Sequence, residues 1–352
     1  MSLRQTAGLG QRLTGRLIPT IGVGSYALPG WVYAAREWAD TRRLGREEVR
    51  EAYQDAVRLA VADQVEAGLD VVSEGEMGRD TFIGGFYSKF SGLRQEDWPS
   101  YLTGTHSYYH VPIYDVIDRI DAPNGLGLRE EFRLLQTLTR QPTKIACPGP
   151  LTLTFQTRIR SGYPARDYQA LADDFAALIN AELKALVADG ATFIQIDEIS
   201  PSFRPVSMDQ VVTMLNKCLQ GVDATIGWHI CFGNNQGRPF GKRSYREMIP
   251  AVLGSRADVY FLEFANRGMD ELELCAEIAR ERDVAVGVID VKLYHRETPE
   301  EVAAALRRAL EFVPADRLWA TADCGFFATP RWLARQKLES LVEGAARVRA
   351  AL

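Results

Sequence analysis

Short apolar runs rich in Val, Ile and Phe recur along the chain, and most are followed by a stretch with helical spacing. The runs that read as strands are Pro19–Val23, Leu69–Ser73, Lys144–Cys147, Thr192–Ile196, Thr225–Cys231, Val259–Glu263, Ala285–Asp290 and Leu318–Ala322. They do not alternate strictly between apolar and polar, which suits parallel strands buried on both faces. Between them, Val49, Tyr53, Val57, Val61 and Val65 fall every four residues and form one apolar stripe, stopped by Gly68. Tyr168, Leu171, Phe175, Leu178, Leu183 and Leu186 repeat the pattern up to Gly190, and further helices are predicted near Met208–Leu219, Glu271–Arg280, Pro299–Phe312 and Arg331–Ala350.

Eight strands alternating with helices predict an α/β fold, and eight is the number that closes a (β/α)8 TIM barrel. The other candidate is an open doubly wound sheet. Against it, Gly22-Val23-Gly24 is a lone G-x-G without the third glycine of a dinucleotide loop. Two stretches exceed a bare barrel: an N-terminal extension up to about Arg16, and the Met77–Arg129 insertion between strands 2 and 3, which carries Trp98, Tyr101, Tyr108 and Tyr109. An insertion that long is expected to be functional or to hold structure of its own. With no internal repeat or linker, residues 1–352 read as a single domain.

Composition narrows the function. The chain carries 41 Lys+Arg against 46 Asp+Glu, a formal charge of -5, which argues against nucleic acid as a partner. No apolar run approaches the ~20 residues of a membrane span, and Met1–Leu17 lacks the apolar stretch of a signal peptide. The expected setting is cytoplasmic, with no membrane partner. Five cysteines (Cys147, Cys218, Cys231, Cys275, Cys324) form an odd set with no disulfide framework.

Barrel enzymes carry their chemistry at the C-terminal ends of the strands. Polar residues at those ends include Ser25, Glu74, Glu76, Asp197, Glu198, His229, Cys231, Glu263, Asp290, Lys292, Asp323 and Cys324. In His229-Ile230-Cys231 the two outer side chains share one face of a strand. Glu263 ends the next strand and Cys324 the last. Two thiolates, an imidazole and a carboxylate make a tetrahedral zinc set, His229, Cys231, Glu263 and Cys324, with Glu263 as the exchangeable ligand. Cys147, Cys218 and Cys275 read as packing residues. Two thiolates soften the Lewis acidity of a metal, which favours holding a substrate thiol as its thiolate over hydrolysis. The predicted chemistry is alkyl transfer to sulfur.

From about Ile18 to Ala346 the chain resembles the C-terminal catalytic barrel of cobalamin-independent methionine synthase and its short single-barrel relatives. The resemblance lies in Ile21-Gly22-Val23-Gly24-Ser25, Gly68-Leu69-Asp70 through Gly75-Glu76, Gly149-Pro150-Leu151-Thr152, Ile194-Gln195-Ile196-Asp197-Glu198, His229-Ile230-Cys231, Asp258 through Glu263, and Asp323-Cys324-Gly325. It implies a zinc-dependent methyltransferase that makes methionine from homocysteine, with the zinc on the four residues already named. It also implies homocysteine bound near Val23, Gly24 and Ser25, with Glu76 and Asp197 contacting it. Backbone N–H groups and a hydroxyl suit a carboxylate, and two acids suit an ammonium.

The donor half of the family pattern is not retained. Where the family meets folate with a basic residue, the chain reads Ser107-Tyr108-Tyr109-His110-Val111-Pro112-Ile113, and Gln156 stands where a stacking tryptophan is expected. Lys292 replaces the family's histidine proton donor, and His295 lies three residues on. Tyr108, Tyr109, Phe155 and Gln156 either line a donor pocket or pack. The donor is left open between a folate bound differently, methyl-cobalamin on a partner protein and a small methylated compound. Two other functions compete. One is a zinc-dependent thiol alkyltransferase such as an epoxide:coenzyme M transferase, in which Glu76 and Asp197 would have no ammonium to meet. The other is a non-catalytic zinc or thiol-metabolite binder.

Overall fold

The computed structural model describes residues 8–79, 83–95, 113–199, 206–234 and 242–352. Among these residues nine strands follow in chain order: β1 (Ser91–Gln95), β2 (Tyr114–Asp121), β3 (Ile145–Pro148), β4 (Thr157–Ile159), β5 (Phe193–Asp197), β6 (Thr225–Ile230), β7 (Val259–Leu262), β8 (Asp283–Ile289) and β9 (Leu318–Ala322). β3, β5, β6, β7, β8 and β9 form one sheet in that order, every pair parallel. Single parallel bridges complete the ring: Thr20 to Ala320, Ile21 to Val71, and Val72 to Thr143. The predicted strands Pro19–Val23 and Leu69–Ser73 thus occupy the first and second places in the barrel, but as bridged segments. The cause is local. Asp70 Oδ2 accepts both the N–H (2.8 Å) and the hydroxyl (2.9 Å) of Thr20, so a side chain takes a donor that a ladder would use.

The barrel strands are buried along their length, apart from the half-buried Thr225 that opens β6, as their unbroken apolar runs imply. Inward-facing Ile21, Val71, Phe193, Val259, Phe261, Ala285 and Trp319 form a core of their own inside the ring. The N-terminal extension contributes a short helix, Leu9–Thr14, whose Leu9 and Leu13 pack against that core. Its Gly10 N–H and the Trp319 indole N–H both donate to Asp283 Oδ2, at 3.2 and 2.9 Å. Asp283 opens β8, so the extension sits at the N-terminal end of the strands, opposite the predicted site.

The helices at Arg46–Ala67, Tyr168–Ala188, Met208–Cys218, Pro299–Leu310 and Arg331–Arg349 match the predicted stripes. Gly68 ends the first at φ 87°, and Gly190 follows the second at φ 98°. Glu271–Arg280 forms only a 3-10 turn and a single helical turn. The helix Gly30–Asp40 has no counterpart in the prediction, because Trp31, Tyr33 and Trp38 are exposed and blur its apolar face. The insertion holds structure of its own. β1 and β2 pair antiparallel, and β2 pairs parallel with β4, which follows the β3 turn. These strands are mostly half-exposed and polar, so no apolar run marks them. Among the described residues no helix is long and apolar enough to cross a membrane.

Candidate functional site

The ends of the barrel strands bring the predicted chemistry to one place. Asp197 ends β5 and pairs in register with His229 of β6. His229, Cys231 and Cys324 offer one ligand atom each, all within 4.8 Å of one another. His229 and Cys231 are buried and Cys324 is half-buried. Among the described residues no oxygen or nitrogen partners either ring nitrogen of His229, which is left facing the Cys324 sulfur, although burying such a group normally demands a partner. An orphaned imidazole beside two sulfurs fits a soft divalent metal, zinc foremost.

The electrostatics favour one thiolate even without a metal. A hydrogen bond from Cys231 holds the Cys324 thiol well below its ordinary value; burial opposes this, and His229 and Lys292 reinforce it. Cys231 is pushed well above its ordinary value by the same pairing and by burial. Burial disfavours charge on His229, but the neighbouring Cys324 sulfur and Asp197 outweigh it and raise the imidazole.

Glu263, the fourth predicted ligand, does not fall in this cluster. Its fully buried carboxylate pairs with Lys292 Nζ at 2.6 Å and Arg243 Nη2 at 3.1 Å. Lys292 is 1% exposed; burial works against its charge, but Glu263 and Cys324 raise its pKa overall. Its loop is pinned. Asp290 Oδ1 accepts the Lys292 N–H, and the buried Lys337 reaches Asp290 O and Glu297. His295 lies at the surface, 59% exposed and 3.4 Å from Glu301, so the structure does not bring it among the buried groups.

The predicted substrate residues converge. A Cβ on Gly24 would lie 2.5 Å from Glu76 Oε1, and one on Gly325 would lie 2.0 Å from Ser25 Oγ. The turn Gly22–Ser25 therefore runs from the Glu76 carboxylate on one side to the residue after Cys324 on the other. None of the N–H groups of Val23, Gly24 and Ser25 meets an acceptor among the described residues. Glu76 has a left-handed backbone (φ 56°) directly after Gly75 (φ 74°), strain of the kind stored at functional sites. Burial pushes Glu76 up to about 8 and Glu74 up to about 7, against the opposing pull of Arg79. Arg79, 3% exposed, lies 3.4 Å from Glu76, 3.3 Å from Glu74 and 2.7 Å from Glu131. Asp197 is raised too, by burial first, with His229 and Gln195 pulling the other way.

Two of the polar strand-end residues turn out to be supporting, and so does Lys144, to which the sequence assigned no role. Glu198 is structural: it accepts from Leu151 N–H (2.9 Å), Thr152 N–H (3.4 Å) and Thr152 Oγ1 (2.6 Å), capping the turn after β3. Asp323 accepts the N–H groups of Phe264, Ala265 and Asn266, fixing the loop after Glu263. Lys144 is fully buried, and a lysine opening an apolar run was its only signal. Of the predicted donor residues, Tyr108 and Tyr109 lie outside the described residues. Phe155 packs against the core. Gln156 is buried, its backbone carbonyl accepting from Tyr114 and its side-chain oxygen lacking a partner. A cavity of ≈ 380 Å³ opens beside Lys292, lined also by Tyr33, Asn234, Leu293, Tyr294 and Thr329.

Comparison with known proteins agrees with this geometry. Residues 18–347 match the family described as "Cobalamin-independent synthase, Catalytic domain". The methionine synthase of Saccharolobus solfataricus is 31% identical over 334 residues, covering 95% of each chain. That of Thermococcus kodakarensis is 30% identical, covering 95% of this chain and 94% of its own. The solved structure of a B12-independent methionine synthase from Shewanella sp. W3-18-1, in complex with selenomethionine, superposes with a TM-score of 0.82 at 30% identity, covering 96% of this chain and 99% of the other.

Proposed function

The chain belongs to the cobalamin-independent synthase catalytic-domain family, and from that membership and the site geometry we propose that it transfers a methyl group to the thiol of homocysteine, giving methionine, with zinc as its cofactor. The observation that carries the reading is the cluster of ligand atoms of His229, Cys231 and Cys324 within 4.8 Å, with no oxygen or nitrogen partner for the imidazole among the described residues. These three residues would hold the zinc, and Glu263 is the candidate fourth ligand, the one to yield to substrate. Its engagement by Lys292 and Arg243 gives it somewhere to rest when it does. Zinc, when bound, lowers the pKa of a substrate thiol so that the nucleophilic thiolate is present at neutral pH.

The protein's own residues account for the rest of the substrate. The N–H groups of Val23, Gly24 and Ser25, and the Ser25 hydroxyl, receive the carboxylate. Glu76 and Asp197, both raised first by burial and Glu76 further by Asp197 and Glu74, gain from a bound ammonium. That acidic pair favours homocysteine over coenzyme M, which offers no ammonium. A solved relative in complex with selenomethionine supports an amino-acid ligand of the methionine kind for this chain. Lys292 is a buried cation beside the Cys324 sulfur, placed to supply positive charge or a proton where the leaving group departs. The surface position of His295 makes it the weaker candidate for that role.

Metal analysis of the purified protein, X-ray absorption and methyl-transfer assays test the proposal together. Zinc should be present, added homocysteine should add a sulfur to its coordination shell, and methionine should form with methyl-folate or methyl-cobalamin supplied side by side. Sulfur ligation by coenzyme M and not by homocysteine would refute it.

A further inference from the structure

Lys144 immediately precedes β3 and is fully buried, yet among the described residues no carboxylate pairs with it directly. Its ammonium has three donors, and all three are used. Nζ lies 2.6 Å from Gly22 O, 2.5 Å from Val23 O and 2.5 Å from Gln195 Oε1. Gln195 passes the interaction on, since its Nε2 donates to Asp197 Oδ1 at 2.6 Å. Gln195 and Asp197 are two apart on β5, so both face the barrel interior.

The two backbone contacts have a geometric consequence. In a trans peptide the carbonyl of one residue and the N–H of the next point in opposite directions across one plane, and the chain has no cis peptide among the described residues. Fixing Gly22 O and Val23 O on Lys144 therefore aims the N–H groups of Val23 and Gly24 away from it. The Ser73 hydroxyl donates to Gly24 O at 3.4 Å, which turns the Ser25 N–H away from Ser73. Successive N–H groups turned to one side make an anion-binding concavity. The lysine charge behind the carbonyls polarises both peptides in the sense that favours an anion in front.

We propose that Lys144 is a positioning residue that presets the Val23–Ser25 turn to receive the carboxylate of an amino-acid thiol and, through Gln195, orients Asp197 toward its ammonium. One buried cation thus sets both ends of the same ligand, spacing the carboxylate site and the ammonium site as an α-amino acid requires. The inference rests on the reading that homocysteine occupies this site. Burial pushes Lys144 down to about 7, while Asp197, Glu76 and Glu74 pull it back up. A lysine kept at such expense in a packed barrel needs the contacts it makes.

The test uses three thiols of equal reach: homocysteine, 4-mercaptobutyrate, which lacks the ammonium, and 3-mercaptopropylamine, which lacks the carboxylate. In Lys144→Met the preference in kcat/KM for homocysteine over 3-mercaptopropylamine should fall roughly 10-fold or more, the usual worth of a hydrogen bond to a charged group. Zinc content and kcat should hold. In Gln195→Met, which cannot donate to Asp197, the preference over 4-mercaptobutyrate should fall instead. Should Lys144→Met fail to fold, Gln195→Met still decides. An equal loss for all three thiols, or no loss of preference, overturns the positioning role. If the wild-type protein accepts no homocysteine, the proposed function fails first and this inference falls with it.

Discussion

Gly24→Ala is the sharpest test of the substrate site. Gly24 does not have a left-handed backbone, so alanine costs nothing in φ and only the added methyl matters. Its Cβ would lie 2.5 Å from Glu76 Oε1, where ordinary contact begins at 3.4 Å, so the carboxylate must retreat about 0.9 Å. Glu76 has little room to do so. Its backbone is strained, its N–H donates to Glu74 Oε1 at 3.1 Å, and its own Oε1 lies 3.4 Å from Arg79 Nη1. Overpacking of this kind costs about 1–3 kcal/mol. Spent on the group that meets the ammonium, that cost raises the homocysteine KM roughly 5- to 150-fold. Steady-state methyl transfer at varied homocysteine should show the rise, with kcat changed little and zinc content unchanged because no sulfur ligand moves. A wild-type KM in a folded, zinc-loaded Gly24→Ala protein would refute the placement of substrate between Gly24 and Glu76.

Other substitutions probe the remaining parts. Cys324→Ser should abolish both zinc retention on dialysis and methyl transfer, read by metal analysis and activity; retained zinc would remove Cys324 from the ligand set. Lys292→Met leaves the buried Glu263 carboxylate with Arg243 alone, and chemical denaturation should show a loss of about 3 kcal/mol, the lower end for breaking a buried pair. Glu76 gives a pH signature. Its carboxyl ionises near 4.5 when unfolded but is pushed up to about 8 in the folded protein. The folded state then binds the extra proton across that window, so this group makes stability fall as pH rises from about 4.5 to about 8. A bound ammonium favours the ionised form, so homocysteine binding should release a proton below pH about 8. Calorimetry in buffers of different ionisation heat reads the protons released, and Glu76→Gln should remove the pH slope and lower the proton count by the Glu76 share, leaving the proton lost by the substrate thiol.

The barrel was legible because its strands are buried on both faces and its helices carry one apolar stripe each. The chemistry was legible because a barrel gathers strand ends: His229, Cys231 and Cys324 are distant in sequence and adjacent in space. What hid from the sequence were partnerships between polar groups. Nothing in Tyr-Phe-Leu-Glu-Phe tells that Glu263 rests on Lys292 and Arg243, since those contacts come from other loops. Asp197-Glu198 read as a pair, yet Asp197 faces the site while Glu198 caps the β3 turn. The small sheet of β1, β2 and β4 was missed because half-exposed polar strands carry no apolar pattern.

The ring is joined by a bridge between Thr20 and Ala320, the two ends of the barrel's path along the chain. Contacts so distant in sequence form slowly, because the loop they close is nearly the whole domain. Cys324 follows immediately on the strand that makes this closure, so a nascent chain reaching only β8 carries His229 and Cys231 without their third partner. On the proposed ligand set, tight metal uptake would wait for the last strand, and a chain lacking that strand would not compete for zinc with the completed barrel.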